Sequence, residues 1–395
     1  MSMKRIVISV MCAVLCGLAS TAQMKLVEQV DESISSLPLS IDHYKSTIGK
    51  LKPALTNEQS RNKAQTWTVA AKLQFALYDI YYELHNSGKR QVDLRSMTQA
   101  LAHGYEYSVK ALNLDSIHER DAAGKPKLDP KTGRALARTK YAKEVDERLH
   151  AHVNDYRSMG SECYNVKNWD GALQCWEIFC RLAATYPLWN VPQADVAEIM
   201  FYRGVALWQQ NERREAVAMF ANARAAGYKQ KEAYDYALVC LSELDDEAGI
   251  AQVAQEAYDA LGTADPQYVR ILVNNYLNNH RAEDADRLLD EALASDPKSD
   301  ELLYLKGVTT EQRKSWREAM PYYERCVRAN ADNAQGQYEL GSCYIEQARE
   351  QSRARRSDKA KAMYRTAQKH LQKAVNLDPS NEDAQKLLRE ANNRS

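Results

Sequence analysis

Hydrophobic positions recur along this chain at helical spacing, segment after segment. Between Asn62 and Leu84, the residues Trp67, Ala70, Ala71, Leu73, Leu77, Ile80 and Tyr81 share one face, which predicts a helix with a buried stripe. Leu94 to Leu114 supplies a partner helix. Upstream, Ile41, Tyr44, Ile48 and Leu51 form a shorter stripe, so one or two helices are predicted within 24–55, and "TNEQS" (Thr56 to Ser60) reads as a loop. Leu136, Tyr141, Val145, Leu149, Val153 and Tyr156 predict one helix from about Leu136 into Asn165, with no Gly or Pro before Gly160. "DAAGKPKLDPKTGR" (Asp121 to Arg134) interrupts the helices with two turn signals. Residues 117–135 are therefore expected to be an insertion, either a loop or a short β-hairpin near 124–137.

In the second half the stripes acquire a period. Ala172, Ala216, Ile250, Ala285, Ala319 and Ala367 are each followed four residues later by Trp176, Phe220, Ala254, Leu289, Tyr323 and Leu371. Gly160, Gly204, Leu238, Val273 and Gly307 stand twelve residues before the first five, and Gly341 stands 26 before Ala367. The spacing is 34 residues, with a 10-residue insert after the first unit and a 14-residue insert inside the last. A small residue at a helix crossing lets two axes approach to roughly 8–10 Å. The large residue one turn beyond the Ala lies on the same face and fills the gap. One such helix pair cannot cover its own apolar face, so neighbouring pairs must stack.

At this point the chain resembles the tetratricopeptide-repeat (TPR) family. "LGSCY" (Leu340 to Tyr344) and "AVAMF" (Ala216 to Phe220) match the two halves of its pattern, and "ALASDP" and "AVNLDP" (to Pro297 and Pro379) match its exit. The resemblance covers about 150–395 strongly and 40–116 more weakly, where "ALNLDS" (Ala111 to Ser116) looks like a divergent exit. It implies an all-α helical-repeat solenoid, a right-handed superhelix, with units near 153–185, 197–229, 231–263, 266–298, 300–332 and 334–380, the last containing the insert at about 349–363. The predicted domains are 1–22, 23–116, 117–135 and 136–395.

The resemblance also implies a groove lined by the first helix of each unit. Carried onto this sequence, that groove contains Phe201, Tyr202, Val205, Trp208 and Gln209, then Tyr236 and Val239. Arg270, Asn274 and Asn278 follow at spacings of four, then Tyr304 and Val308, then Tyr338 and Ser342. The Lys and Asn set that clamps acidic chain ends in chaperone-binding members is not found. Two further features are candidates for binding. Trp189 stands between two prolines in "YPLWNVPQ" as an anchor for a partner. Arg349 to Lys373 carries nine Lys or Arg against two acids, and Arg349, Arg353, Arg355, Arg356, Lys359, Lys361 and Arg365 form a basic patch able to meet anionic envelope components.

Composition narrows the remaining choices. Gly (15) and Pro (10) are scarce, as helices require, and Lys plus Arg equals Asp plus Glu at 53 each. That balance argues against nucleic acid as the partner. Lys4 and Arg5, the apolar run of 13 residues from Ile6 to Leu18, broken only by Ser9, and small Ser20 and Ala22 read as a signal peptide cut before Gln23. The expectation is export, to the periplasm or onward to the surface or medium, with no membrane span. Six cysteines follow, Cys163, Cys175, Cys180, Cys240, Cys326 and Cys343, without CxxC or zinc spacing. They are either disulfides of an exported protein, with Cys326–Cys343 the first pair to test, or small buried residues at helix contacts. No nucleotide, metalloprotease or serine-hydrolase motif occurs, so no enzyme activity, cofactor or metal is expected. The sequence points to a scaffold or adaptor for protein partners, with a periplasmic chaperone or assembly factor as the alternative.

Overall fold

The structure, a computed structural model, describes residues 22–36, 40–88, 92–115, 117–119, 121, 123–128, 137–262 and 265–395. The signal-peptide expectation at 1–22 falls almost wholly outside them. The chain divides into two units, one running to Tyr228 and one from Lys229 to Ser395.

The first unit contains α1 (22–34), α2 (Ile41–Thr56), α3 (Ala64–Asn86), α4 (Leu94–Leu114), α5 (Ala142–Ala151), α6 (Val153–Asn165), α7 (Trp169–Thr185), α8 (Gln193–Gln209) and α9 (Arg213–Ala225). Helices α3–α4, α6–α7 and α8–α9 pack as antiparallel neighbours in sequence. The second unit contains α10 (Glu232–Glu243), α11 (Glu247–Leu261), α12 (Pro266–Asn278), α13 (Ala282–Ser295), α14 (Asp300–Arg313), α15 (Trp316–Ala329), α16 (Ala334–Arg353), α17 (Ser357–Leu377) and α18 (Glu382–Arg394). Each helix packs on the next. α18, which the repeat pattern does not foretell, covers α17 with Ala384, Leu388 and Ala391.

The contact that makes each pair is the one the spacing suggests. A Cβ placed on Gly204 would lie 2.6 Å from the Phe220 ring, and one on Gly341 would lie 2.6 Å from Leu371 Cγ. Gly160 meets Trp176 and Gly307 meets Tyr323 in the same way. Ala172, Ala216, Ala285, Ala319 and Ala367 are fully buried beside them. Where the small residue is replaced, as at Leu238, the large one is too: Ala254 stands sixteen residues on, and both are buried. In α3–α4 the roles are reversed, with Phe75 on the first helix against Gly104 on the second.

A second repeat lies in the turns. Lys167, Asn211, Asp245, His280 and Arg355 all have left-handed φ, between 54° and 71°, where α6, α8, α10, α12 and α16 end. In each case the next amide reaches back five residues: Asn168 to Cys163 O (2.8 Å), Glu212 to Leu207 O (2.9 Å), Asp246 to Leu241 O (3.0 Å), Arg281 to Tyr276 O (2.7 Å) and Arg356 to Gln351 O (2.9 Å). This is the Schellman ending of a helix, which satisfies its last carbonyls.

One expectation is corrected. The long helix into Asn165 is broken at His152, which ends α5 and begins α6 without Gly or Pro. Its ring stacks on Phe75 at 4.5 Å, and Nδ1 lies 2.8 Å from Asp155 Oδ2, so a tertiary contact sets the break. The insertion is closed at its base by a two-residue ladder, β1 (Ile117–His118) with β2 (Ala137–Arg138); residues 129–136, which hold most of the expected hairpin near 124–137, lie outside the described set. Asp115 closes this base. Its buried carboxylate accepts the amides of Lys140 (2.9 Å), Tyr141 (2.6 Å) and Ala142 (2.8 Å) at the start of α5.

The six cysteines are all free and buried, so the Cys326–Cys343 bridge is not made. Cys326 Sγ instead fills the space over Gly336, and the Cys343 thiol faces Trp316 O at 3.7 Å. Burial pushes both thiols up to about 12, which keeps them protonated and unreactive.

Candidate protein-binding site

The first helices of the second unit bring several of the expected residues together. Arg270, Asn274 and Asn278 are exposed along one face of α12. Arg270 and Asn274 line an open cavity of about 480 Å³ with Glu301, Tyr304 and Val308 of α14 and Gln335 of α16. Tyr304 and Tyr338 are half-buried. Arg270 Nη1 lies 3.6 Å from Glu301 Oε1, an exposed pair of little intrinsic strength. Both groups are therefore available to a partner. Asp300 is occupied, accepting Asn330 Nδ2 (2.9 Å) and Asn333 Nδ2 (2.8 Å).

What lies under this face holds it still. Lys306 is 3% exposed, and its ammonium lies 2.6 Å from Asp286 and 2.5 Å from Asp290 of α13. Burial alone would lower its pKa, but the two carboxylates overcome that and raise it. Arg313 adds a 2.6 Å pair to Asp286. Further along, Tyr323 OH donates to Glu311 Oε2 at 2.9 Å. Burial, with help from the Glu311 carboxylate, pushes Glu339 up to about 7.

Elsewhere the expected residues are placed differently. Phe201 is buried, stacked on Tyr228 at 4.7 Å and tilted against Phe220 at 5.8 Å, so it belongs to the core. Tyr202 is half-buried edge-on to Tyr164 at 5.6 Å. Trp208 is half-buried with the Arg213 guanidinium over its ring at 5.7 Å, and Tyr236 is half-buried beside exposed Val239. Trp189 does not project as an anchor. Its ring stacks between Tyr186 (4.0 Å) and His150 (4.8 Å), and its neighbour Leu188 is the exposed one, at 91%. Arg349 leaves the basic patch, because its guanidinium binds both oxygens of Glu390 and reaches Glu346. Arg353, Arg355, Arg356, Lys359, Lys361 and Arg365 are exposed.

The first unit has a trough that the sequence reading did not single out. Cavities of about 500 and 350 Å³ flank α4 and share Gln99 and His103. Arg95, Gln99, His103 and Glu106 recur at spacings of four, four and three, a polar stripe that could have marked it. Among the described residues no group of three or more His, Cys, Asp or Glu could hold a metal ion, and no helix is long and apolar enough to cross a membrane.

Helix pairs at a 34-residue period, three of them closed by a large ring over a Gly sixteen positions earlier and the last by Leu371 over Gly341, decide the fold. The protein is a tetratricopeptide-type helical repeat. No protein-family model matches the chain, and no curated protein does. Among solved structures it is similar to YrrB, titled a TPR protein with an unusual peptide-binding site, at 17% identity and TM-score 0.35 over 49% of this chain and 92% of that one. It is also similar to the C-terminal part of a TPR protein from Cytophaga hutchinsonii, at 20% identity and TM-score 0.41 over 62% and 93% of the two chains. A thermophilic TPR protein from Thermus thermophilus matches at 16% identity and TM-score 0.32 over 49% and 98%. These likenesses are partial, and the helical repeat rests on the spacing and contacts within this chain.

Proposed function

We propose that this chain is a non-catalytic scaffold that holds an extended segment of a partner protein along α12, α14 and α16. One observation carries the reading: Arg270 and Asn274 stand exposed at a cavity walled by Tyr304 and Val308. Asn and Gln side chains offer donors and acceptors to an extended backbone, the ring offers apolar area, and Arg and Glu can exchange their weak mutual pair for charges on the partner. The buried Lys306 network fixes the helices beneath, so binding orders little that is not already ordered. The leader-like start of the sequence supports export, with partners in the bacterial envelope.

The test is cross-linking in the native envelope followed by mass spectrometry, with wild-type chain and with Arg270, Asn274 and Asn278 all changed to Ala. Capture of a few folded partners, weakened in the variant at an unchanged melting temperature, is expected. Unaltered capture removes the assignment of this face. Many unrelated extended clients in place of a few partners would favour the chaperone reading.

A further inference from the structure

We propose that the turn between α16 and α17, with the end of α18, is a binding site for a phosphate group. The two helices are the longest of the second unit, at 20 and 21 residues, and their added turns carry Arg353, Arg355, Arg356, Lys359, Lys361 and Arg365. Here a cavity of about 620 Å³ opens, lined by Arg355, Lys361 and Arg394 together with Ser352, Ser357, Tyr364, Asn393 and the terminal Ser395. Arg394 is steadied by its Nη1 donating to Tyr364 OH at 3.4 Å. Among the described residues no carboxylate lies within ion-pair distance of these three cations. The acids nearby are committed elsewhere: Glu390 and Glu346 to Arg349, and Glu350 to Arg317. Glu390 also feels the charge of Arg394, but Arg349 takes both its oxygens. Asp358 is exposed on the first turn of α17 and does not line the cavity.

Three cations line one opening, none of them in an ion pair among the described residues and only the terminal carboxylate of Ser395 beside them, so more than one positive charge is left to balance. A phosphate group brings up to two, with three oxygens for guanidinium forks and hydroxyl donors. A single carboxylate from a ligand would leave part of the positive charge unbalanced. The cations outside the cavity raise the local concentration of anions without fixing them. A merely solvated arm would spread its charges over the surface, whereas here cations from three segments, the turn, α17 and α18, meet at one opening.

The source of the phosphate is free anion or lipid headgroup, and the experiment separates them. The full chain is titrated calorimetrically with inorganic phosphate and, for comparison, with acetate. It is also co-sedimented with phosphatidylcholine vesicles containing phosphatidic acid or an equal charge of phosphatidylserine. Phosphate is expected to bind at least tenfold more tightly than acetate. Arg355→Gln, Lys361→Gln and Arg394→Gln should each weaken it about fivefold or more, and Arg353→Gln, the same charge lost outside the cavity, less than twofold. Sedimentation with phosphatidic acid but not phosphatidylserine assigns a headgroup; phosphate binding without sedimentation assigns the free anion. Equal affinity for phosphate and acetate overturns the proposal. So does an Arg353→Gln loss as large as that of Lys361→Gln, which would show diffuse charge without a site. Thermal melts confirm that each variant is folded.

Discussion

Replacing Asp115 with Ala removes one buried carboxylate that accepts three consecutive amides, at 2.6 to 3.0 Å, from the chain 25 to 27 residues on. Hydrogen bonds to a charged group contribute about 1.5–3 kcal/mol each when a buried partner would otherwise be left unpaired. They are not additive, and water can reach amides near the surface. The carboxylate also faces the positive end of α5, a further contribution of roughly 0.5–2 kcal/mol. A total loss of about 3–4 kcal/mol is expected for Asp115→Ala. Asp115→Asn keeps one acceptor oxygen without its charge and should lose about half as much. Urea unfolding followed by circular dichroism measures the totals. Amide hydrogen exchange locates the effect, with Val145 to Leu149 of α5 losing protection while α8 and α9 keep theirs. A stability change below about 0.5 kcal/mol with α5 protection intact would refute the assignment of Asp115 as the clasp.

Other expectations concern turns, titration and processing. Lys167→Gly should raise stability by about 0.5–1 kcal/mol, since a Lys side chain is strained at φ 61° and Gly is not; Asn211→Gly should gain less because Asn tolerates that region. A thermal melt decides between them. Glu339 has its carboxyl raised from 4.5 to about 7 in the folded chain. Between those values the folded state keeps a proton that the unfolded state has released, so stability falls as pH rises through this window and levels off above it. Glu339→Gln should therefore stabilise the chain by about 2–3 kcal/mol at pH 8 and by almost nothing at pH 4, read from paired melts. Mass spectrometry of the chain recovered from its native host should find an N-terminus at Gln23.

The helix pairs were legible because their chemistry is local and repeated. Gly160, Gly204, Gly307 and Gly341 advertise a close crossing, and Trp176, Phe220, Tyr323 and Leu371 advertise what fills it. The left-handed turns were not legible, because Lys, Asn, Asp, His and Arg occupy positions where Gly would have marked the end of a helix. The break at His152 depends on Phe75, far away in sequence, and no local propensity announces it. The same limit applied to single side chains. A first-helix position fixes the direction of a residue but not its depth, so Phe201 could be placed on the face yet lies under Tyr228. Trp189 found its partners in Tyr186 and His150, while Arg349 found Glu390 41 residues on. Arg270, Asn274 and Asn278 were easier, since polar residues four apart with no distant partner large enough to cover them remain where helical geometry puts them.

The packing of a large residue over a small one is the claim on which the rest stands, and a double-mutant cycle at Gly307 and Tyr323 tests it most directly. A Cβ on Gly307 would lie 2.7 Å from Tyr323 Cδ1, about 1 Å inside ordinary contact, against a ring that is fully buried. Overpacking of this kind costs about 1–3 kcal/mol, more than the roughly 1 kcal/mol that Ala gains over Gly in a helix. Gly307→Ala is thus expected to destabilise the native chain but to stabilise a Tyr323→Leu background, with a coupling of about 1–2 kcal/mol by urea unfolding. If Gly307→Ala stabilises both backgrounds equally, the two residues do not meet and the paired-helix packing is contradicted.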